Sequence, residues 1–293
     1  MVNFFPDIQP LPQLFPPDPR VSVLKLHEIH PIVSGNKWYK LAPYLAAAEA
    51  AGCKRVITRG GAYSNHLIAT AWAAREAGLL SKGIVRGQAP AVLTPTLHDA
   101  QSFGMELVFL DRSAFAATEQ QYGPQAGSDD YYIPAGGAGI PGVQGAATIL
   151  ARSDMGAYTH LLVASGTGTM LAGIQLAAAE HQQVVGISVL KNQPEPLPTV
   201  ARHLHQLGCK RLPEIFHFPY GGYARQHPEV MEMMHLAWEK EKLPLDFVYT
   251  GKLFAATRHL IATGYFSENA NVLLIHSGGL QGNRSLPPGH LPF

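Results

Sequence analysis

In the stretch VSGNKWYKL, Lys37 directly follows a Ser-Gly-Asn turn and Lys40 stands three residues further on. A lysine amine attacks a carbonyl only when deprotonated, and burial or a neighbouring cation lowers its pKa. If the stretch is helical, positions i and i+3 share a face, so Lys40 can supply that charge while contacting a phosphate. Two solvated lysines at a helix start would have the same spacing, so other loops must decide between the readings.

The loop SGTGTMLAG combines Ser165, Thr167 and Thr169 with Gly166, Gly168 and Gly173. It follows an apolar run and opens an apolar helical pattern, where backbone N–H groups and hydroxyls can approach a phosphate. It matches neither the G-x-x-x-x-G-K-[ST] nucleotide loop nor the dinucleotide G-x-G-x-x-G. An ordinary strand-to-helix turn is the bland alternative. A phosphate loop without a nucleotide motif, in a chain with paired lysines, is most economically read as the site of pyridoxal phosphate, with Lys37 as its Schiff-base lysine.

Three more loops carry polar residues at strand ends, where α/β folds gather their ligands. In RGGAYSNHL, Ser64 stands at a helix N-cap followed by Asn65 and His66, which suits either a cap alone or an anion site for a carboxylate. VYTGK places Tyr249 and Thr250 at a helix start, and IHSGG places Ser277 directly after the last apolar run. Taken singly, such residues are turn formers and core-edge aromatics. Their coincidence in four loops is the functional signal.

The elements that must position these loops are short apolar runs alternating with alanine-rich amphipathic stretches, the pattern of strands feeding crossover helices. Helices are predicted over 41–51, 64–77, 92–102, 112–121, 143–152, 169–181, 198–207, 227–241 and 251–263. Strands are predicted at RVIT, GIV, ELVFL, YYI, THLLVAS, VVGISVL, EIFHF and NVLLIH. The fold class is therefore α/β, with mostly parallel open twisted sheets flanked by helices. The expected division is a smaller α/β domain at 40–146 and a larger domain made of 1–39 plus 147–293. The proline-rich residues 1–20 and the tail SLPPGHLPF are expected to be surface coil.

Charged residues form 15% of the 293-residue chain and the formal net charge is +1, against roughly 25% charged residues in an average soluble protein. That balance gives no footing for a nucleic-acid or membrane-surface partner, and so sparse a charge favours a homodimer. The two cysteines, Cys53 and Cys209, make no disulfide framework. The N-terminus has no basic region followed by an apolar stretch, so a cytoplasmic protein is expected. No metal site is read from the sequence.

The motifs SGNKWYKL, GGAYSNH, SGTGTMLAG, YGGYA, VYTGK and IHSGG, in this order, resemble the fold type II pyridoxal-phosphate enzymes. Within these the resemblance is to the 1-aminocyclopropane-1-carboxylate deaminase and D-cysteine desulfhydrase group, and it runs from about residue 20 to 283. It implies that Lys37 carries the cofactor and that Asn65 hydrogen-bonds its phenolic oxygen. It implies a phosphate site of Lys40, Gly166, Thr167, Gly168 and Thr169, with Ser277 near the pyridine nitrogen. Ser64, Asn65 and His66 are implied to hold the substrate carboxylate, with Tyr223, Tyr249 and Thr250 lining the substrate. Lys37, Ser64 and Tyr249 are the implied catalytic groups, with Lys37 or Tyr249 taking the α-proton.

The group's deaminases have glutamate after the strand-end tyrosine and leucine before the later Gly-Gly pair, whereas its desulfhydrases have threonine at both. This chain has Thr250 and Ser277. It therefore resembles the desulfhydrases, which implies β-elimination on a small amino acid to give pyruvate, ammonia and sulfide. A deaminase of 1-aminocyclopropane-1-carboxylate or another amino acid, and a non-catalytic protein that binds pyridoxal phosphate, are the competing readings. A dinucleotide oxidoreductase would need an acidic ribose ligand about 20 residues after the glycine loop. Glu180 comes too early for that, and the next strand leads to Lys191.

Overall fold

The computed structural model describes residues 6–17, 19–31, 33–121, 129–151, 153–190 and 197–293. Lys191 lies outside them, as do parts of the N-terminal segment expected to be coil. The chain forms two compact units, one of residues 1–36 with 146–293 and one of residues 37–145. Among the described residues no helix is long and apolar enough to cross a membrane.

In chain order the first half contains β1 (Ile8–Pro10), β2 (Arg20–Lys25), α1 (Asn36–Ala50), β3 (Arg55–Gly60), α2 (Asn65–Glu76) and β4 (Leu80–Arg86). Then come α3 (Pro95–Ser102), β5 (Met105–Leu110), α4 (Arg112–Gln121), β6 (Asp130–Tyr132) and α5 (Ile140–Ala147). The second half contains β7 (His160–Ser165), α6 (Thr169–Ala177), β8 (Gln183–Ser188), α7 (Leu197–Gln206) and β9 (Glu214–His217). It ends with α8 (Pro228–Glu241), α9 (Thr250–Ala262) and β10 (Asn271–His276). From β3 onward the alternation read from the apolar runs is the alternation observed, whereas β2, paired between β1 and β10, was not read as a strand.

The larger unit holds a six-stranded sheet in the order β1-β2-β10-β7-β8-β9, and the smaller a four-stranded sheet in the order β5-β4-β3-β6. Every pairing is parallel except β1 with β2. Parallel strands covered on both faces read as unbroken apolar runs, which is why they stand out in sequence. In the larger unit Leu162, Val185 and Leu274 are fully buried with Phe254, Met233 and Met234.

Residues 1–20 were expected to be coil, and this is corrected: Ile8–Pro10 forms β1 against β2, which starts at Arg20. Proline hides such a strand because it cannot donate to the ladder, and an edge strand needs donors on only one side. Helix α1 also begins at Asn36, five residues before the expected start, and runs through Pro43. That proline deprives the Tyr39 carbonyl of its helical partner. Gly145 packs there, where a Cβ would fall 2.1 Å from the Tyr39 oxygen.

Each sheet has a place where the strand order reverses, which is where ligands settle in open α/β sheets. In the larger unit this lies between β7 and β10, and in the smaller between β3 and β6. The loops leaving these strands are those that carry Ser165–Gly168, Ser277–Gly279, Gly60–Ser64 and Ile133–Gly139. Because Leu274 is 0% exposed on the central strand β10, Leu274→Ala is expected to cost about 2–5 kcal/mol, read as a lowered urea midpoint.

Candidate active site

In the larger unit the turn that delivers Lys37 is stapled to the loop after β10. Gly35 N–H donates to the Leu26 carbonyl at 2.9 Å and Asn36 N–H to the Ser277 carbonyl at 2.8 Å. Gly279 N–H donates to Ser34 Oγ at 3.0 Å. Gly35 has φ +89°, and a Cβ there would lie 1.9 Å from the Ser277 oxygen. Glycine is thus required for its backbone angle and again for the closeness of the two chains. The Asn36 side-chain amide donates to Met170 Sδ at 2.9 Å, tying the turn to α6.

His276 holds the other side of this staple. Its Nε2 is 2.7 Å from the Pro244 carbonyl, and its Nδ1 accepts from Gly278 N–H at 3.1 Å. One nitrogen must therefore donate and the other accept, which fixes a neutral ring in one tautomer. His27 packs on it at 4.2 Å between centroids. Burial holds His276 down at about 4, and burial followed by its coupling to the neighbouring His276 holds His27 at about 2.

In the smaller unit α1 carries Lys37, half-buried, and Lys40, 3% exposed. Burial and then the charge of Lys37 push Lys40 well below the ordinary lysine value. No carboxylate among the described residues lies in ion-pair range of the Lys40 ammonium. Gly137, at φ +64°, leaves room beside its stem, since a Cβ there would approach Lys40 Cβ to 3.3 Å. The Tyr44 hydroxyl donates to the Ala138 carbonyl and fixes this turn against α1.

Ser64 is the N-cap of α2, its Oγ accepting from His66 N–H and Leu67 N–H at 3.2 Å each. Capping uses only its lone pairs, so the hydroxyl hydrogen is left to donate. Asn65 begins the helix, half-buried, and His66 is 3% exposed. His66 Nε2 is 2.7 Å from Thr58 Oγ1, which itself donates to the Ile133 carbonyl at 2.8 Å. Thr58 has only one hydrogen, so it accepts from His66, whose ring carries its proton on Nε2. Nδ1 is then a buried acceptor with no hydrogen-bond partner. Burial, Lys37 and Lys40, in that order, hold His66 well below 6.5 and keep it neutral.

In the larger unit β7 ends at Ser165, whose buried Oγ has no hydrogen-bond partner. Gly166, Thr167 and Gly168 follow, with Gly168 at φ +80° as the N-cap of α6. Thr167 and Thr169 hydroxyls meet at 3.1 Å. Tyr249 lies against this loop: a Cβ on Gly166 would sit 3.3 Å from its ring. Tyr223, 57% exposed, meets Tyr249 edge-on at 5.9 Å.

Asp246 organises the Tyr249 turn and was not anticipated from sequence. Its buried carboxylate accepts from Val248 N–H at 2.9 Å, Tyr249 N–H at 3.0 Å, Thr250 N–H at 2.9 Å and the Thr250 hydroxyl at 2.7 Å. The Asp-x-x-x-Thr spacing, which lets an aspartate cap the turn that its own threonine closes, was the available signal. Thr250 is 0% exposed with its hydroxyl committed to Asp246. Burial, then Tyr223 and Asp246, raise the Tyr249 phenol well above 10, so it stays protonated. Thr58 and His276 also escaped the sequence reading, because nothing in their spacing marks them as partners of His66 and Gly278.

Residues 8–278 match the family described as pyridoxal-phosphate dependent enzymes, and the chain belongs to that family. A candidate 1-aminocyclopropane-1-carboxylate deaminase of Pyrococcus abyssi is 31% identical over 272 residues, covering 85% of this chain and 81% of that one. Its counterpart in Pyrococcus horikoshii is 29% identical over 269 residues, with the same coverage. A crystal structure of an ACC deaminase homologue superposes with TM-score 0.83 at 28% identity, over 96% of this chain and 91% of that one. A pyridoxal 5'-phosphate-dependent aspartate racemase, at 17% identity and TM-score 0.69 over 99% and 93% of the two chains, shares the fold.

The fold is that of the fold type II enzymes and the cofactor is pyridoxal 5'-phosphate. The residues present fit such a group. In the smaller unit Lys40 is a buried amine with no carboxylate in range and Lys37 offers a primary amine, and in the larger unit Ser165 offers an unpartnered buried hydroxyl at a glycine loop.

His276 titrates at 6.5 when unfolded and at about 4 when folded, so the unfolded chain binds the proton first as the pH falls. Stability is therefore present above 6.5 and lost between 6.5 and about 4, by about 3 kcal/mol. Urea midpoints across that range should fall in the wild type. In His276→Asn they should start lower and depend less on pH.

Proposed function

We propose that this enzyme is a deaminating lyase that carries out β-elimination on a small amino acid, in the manner of a D-cysteine desulfhydrase. D-Cysteine and water would give pyruvate, ammonia and hydrogen sulfide. The observation that carries the reading is Thr250: where the resemblance places a glutamate in the deaminases, this chain has a fully buried hydroxyl bonded to Asp246. No carboxylate is available from that position to move protons during ring opening.

The cofactor supplies an electron sink for negative charge at the substrate α-carbon. Lys37 is its attachment point, and Lys40 with Gly166, Thr167, Gly168 and Thr169 holds its phosphate. Asn65 and Ser277 orient the ring. The Ser64 hydroxyl donates to the substrate carboxylate. His66, neutral and presenting an acceptor nitrogen, would repel a carboxylate, so we assign it instead to a donor such as an amine or ammonium. Lys37, once its amine is free, takes the α-proton. Tyr249, held protonated, donates a hydrogen bond to the departing sulfur as the Cβ–S bond breaks and hydrosulfide leaves with the electron pair, and the proton that Lys37 took from the α-carbon balances it as hydrogen sulfide. Water then hydrolyses the released enamine to pyruvate and ammonia. A cytoplasmic homodimer completes the proposal, resting on the sparse charge of the chain.

A second reading, 1-aminocyclopropane-1-carboxylate deaminase, is favoured by the names of the two Pyrococcus relatives. A panel of D-cysteine, L-cysteine and 1-aminocyclopropane-1-carboxylate, assayed for sulfide, pyruvate and 2-oxobutanoate, separates the two. Sulfide and pyruvate from D-cysteine are expected, and 2-oxobutanoate from the cyclopropane would overturn the desulfhydrase reading. A protein that only binds the cofactor would be coloured yet would exchange no α-proton of any amino acid.

Lys37→Ala is expected to abolish the visible absorbance of the purified protein and all turnover. Ser64→Ala should leave the colour and raise KM by about tenfold, from one hydrogen bond to a charged carboxylate.

A further inference from the structure

Lys252 is the charged residue of the VYTGK motif, and the proposed chemistry leaves it unused. It lies in the first turn of α9, 1% exposed, and among the largest fully buried side chains of the protein. An ammonium there has two costs, loss of water and the positive end of a helix. Its Nζ donates to the carbonyl of Gly222.

Gly222 belongs to a turn that does not hold itself. Gly221 and Gly222 have φ of +78° and +85°, and Ala224, with a side chain, has φ +52°. Within the turn Arg225 N–H reaches the Gly222 carbonyl at only 3.4 Å. Tyr223 projects from it, exposed, with its ring edge on Tyr249. Left-handed backbone at a non-glycine residue persists only where the surroundings impose it.

We propose that the Lys252 ammonium is the latch that holds the Gly221–Arg225 turn, and with it Tyr223, against Tyr249. Only the consequence for substrate, a pocket closed by Tyr223, rests on the function proposed above. The groups around the latch leave it few other partners. Asp246, in the turn before α9, is the charged neighbour, and its carboxylate already accepts four hydrogen bonds. From α8 the contacts beside it, at Gly251, are Val230 and Met234. From the latched turn come Tyr223 and the exposed Arg225. The sheet under α9 presents the apolar core of β7, β8 and β10. Burial lowers Lys252 to about 8, against the pull of Asp246, so the latch is charged at neutral pH and loses its charge just above it.

Hydrogen exchange of the cofactor-loaded protein, read by mass spectrometry on the peptide spanning residues 219–227 and corrected for intrinsic rates, tests the latch. Between about pH 7 and about pH 9 the wild-type turn should lose about fivefold in protection, as a charge-assisted bond becomes a neutral one. Lys252→Met should show that loss already at neutral pH, while the β10 peptide keeps its protection. Lys252→Arg, which stays charged, should keep the turn protected across the range. Wild-type protection that does not change across about pH 8, or a Lys252→Met turn as protected as wild type, overturns the latch. If either variant fails to fold, the wild-type titration alone decides. In the D-cysteine assay, Lys252→Met should raise KM several-fold with kcat little changed. An unchanged KM with the exchange result intact would overturn the pocket role of Tyr223 and leave the latch standing.

Discussion

The contact on which the rest depends is the close crossing of Ser34–Asn36 with Ser277–Gly279. Lys37 can be aimed only if the chain entering α1 has one path, and that path is fixed by hydrogen bonds from Asn36 to Ser277 and from Gly279 to Ser34. The crossing is so tight that neither Gly35 nor Gly278 has room for a Cβ, which at Gly278 would fall 2.4 Å from Gly35 Cα. Behind it His276 must stay neutral, because its two nitrogens have opposite duties. The loop after the last strand thus fixes the path of the chain as far as Asn36. The constraint is long in sequence and short in space.

Electrostatics carries the second part of the case. Buried cations in folded proteins are normally paired, because desolvation alone costs several kcal/mol per ion. Lys40 is buried with only another lysine identified as a charged neighbour, and His66 is held neutral by burial first and then by the same two lysines. A site in this condition is incomplete without an anion. In the function proposed above a phosphate dianion would supply it, and as an opposite charge it would raise the proton affinity of Lys40.

Much of this was legible in the sequence, for identifiable reasons. Parallel strands buried on both faces cannot avoid long apolar runs, and strand-end glycine loops cannot avoid their composition, so β3 to β10 and all four polar loops could be read directly. Edge strand β1 could not, because proline and polar residues are tolerated where only one side is paired. Helix α1 was started too late in the reading because the turn-forming Ser-Gly-Asn and the aromatic pair before Leu41 do not announce a helix, although Pro43 was already placed inside it. Supporting partners were the least legible. Thr58 and His276 are ordinary strand residues by pattern, and only the fold brings them to His66 and Gly278.

The choice between elimination from a thiol and opening of a cyclopropane turns on what the residue after Tyr249 can do. A glutamate there would bring a carboxylate capable of accepting and returning a proton. Thr250 brings a hydroxyl of ordinary high pKa, and its single hydrogen already points to Asp246 at 2.7 Å. Freeing it would leave a buried aspartate short of one of its four donors and would loosen the turn that aims Tyr249. The hydroxyl is therefore structural, and the elimination proposed above gives the α-proton to Lys37 and leaves Tyr249, held protonated, as a hydrogen-bond donor. A base on one side and a hydrogen-bond donor for the leaving group on the other are the needs of β-elimination. Ring opening asks in addition for a proton acceptor that this position no longer contains.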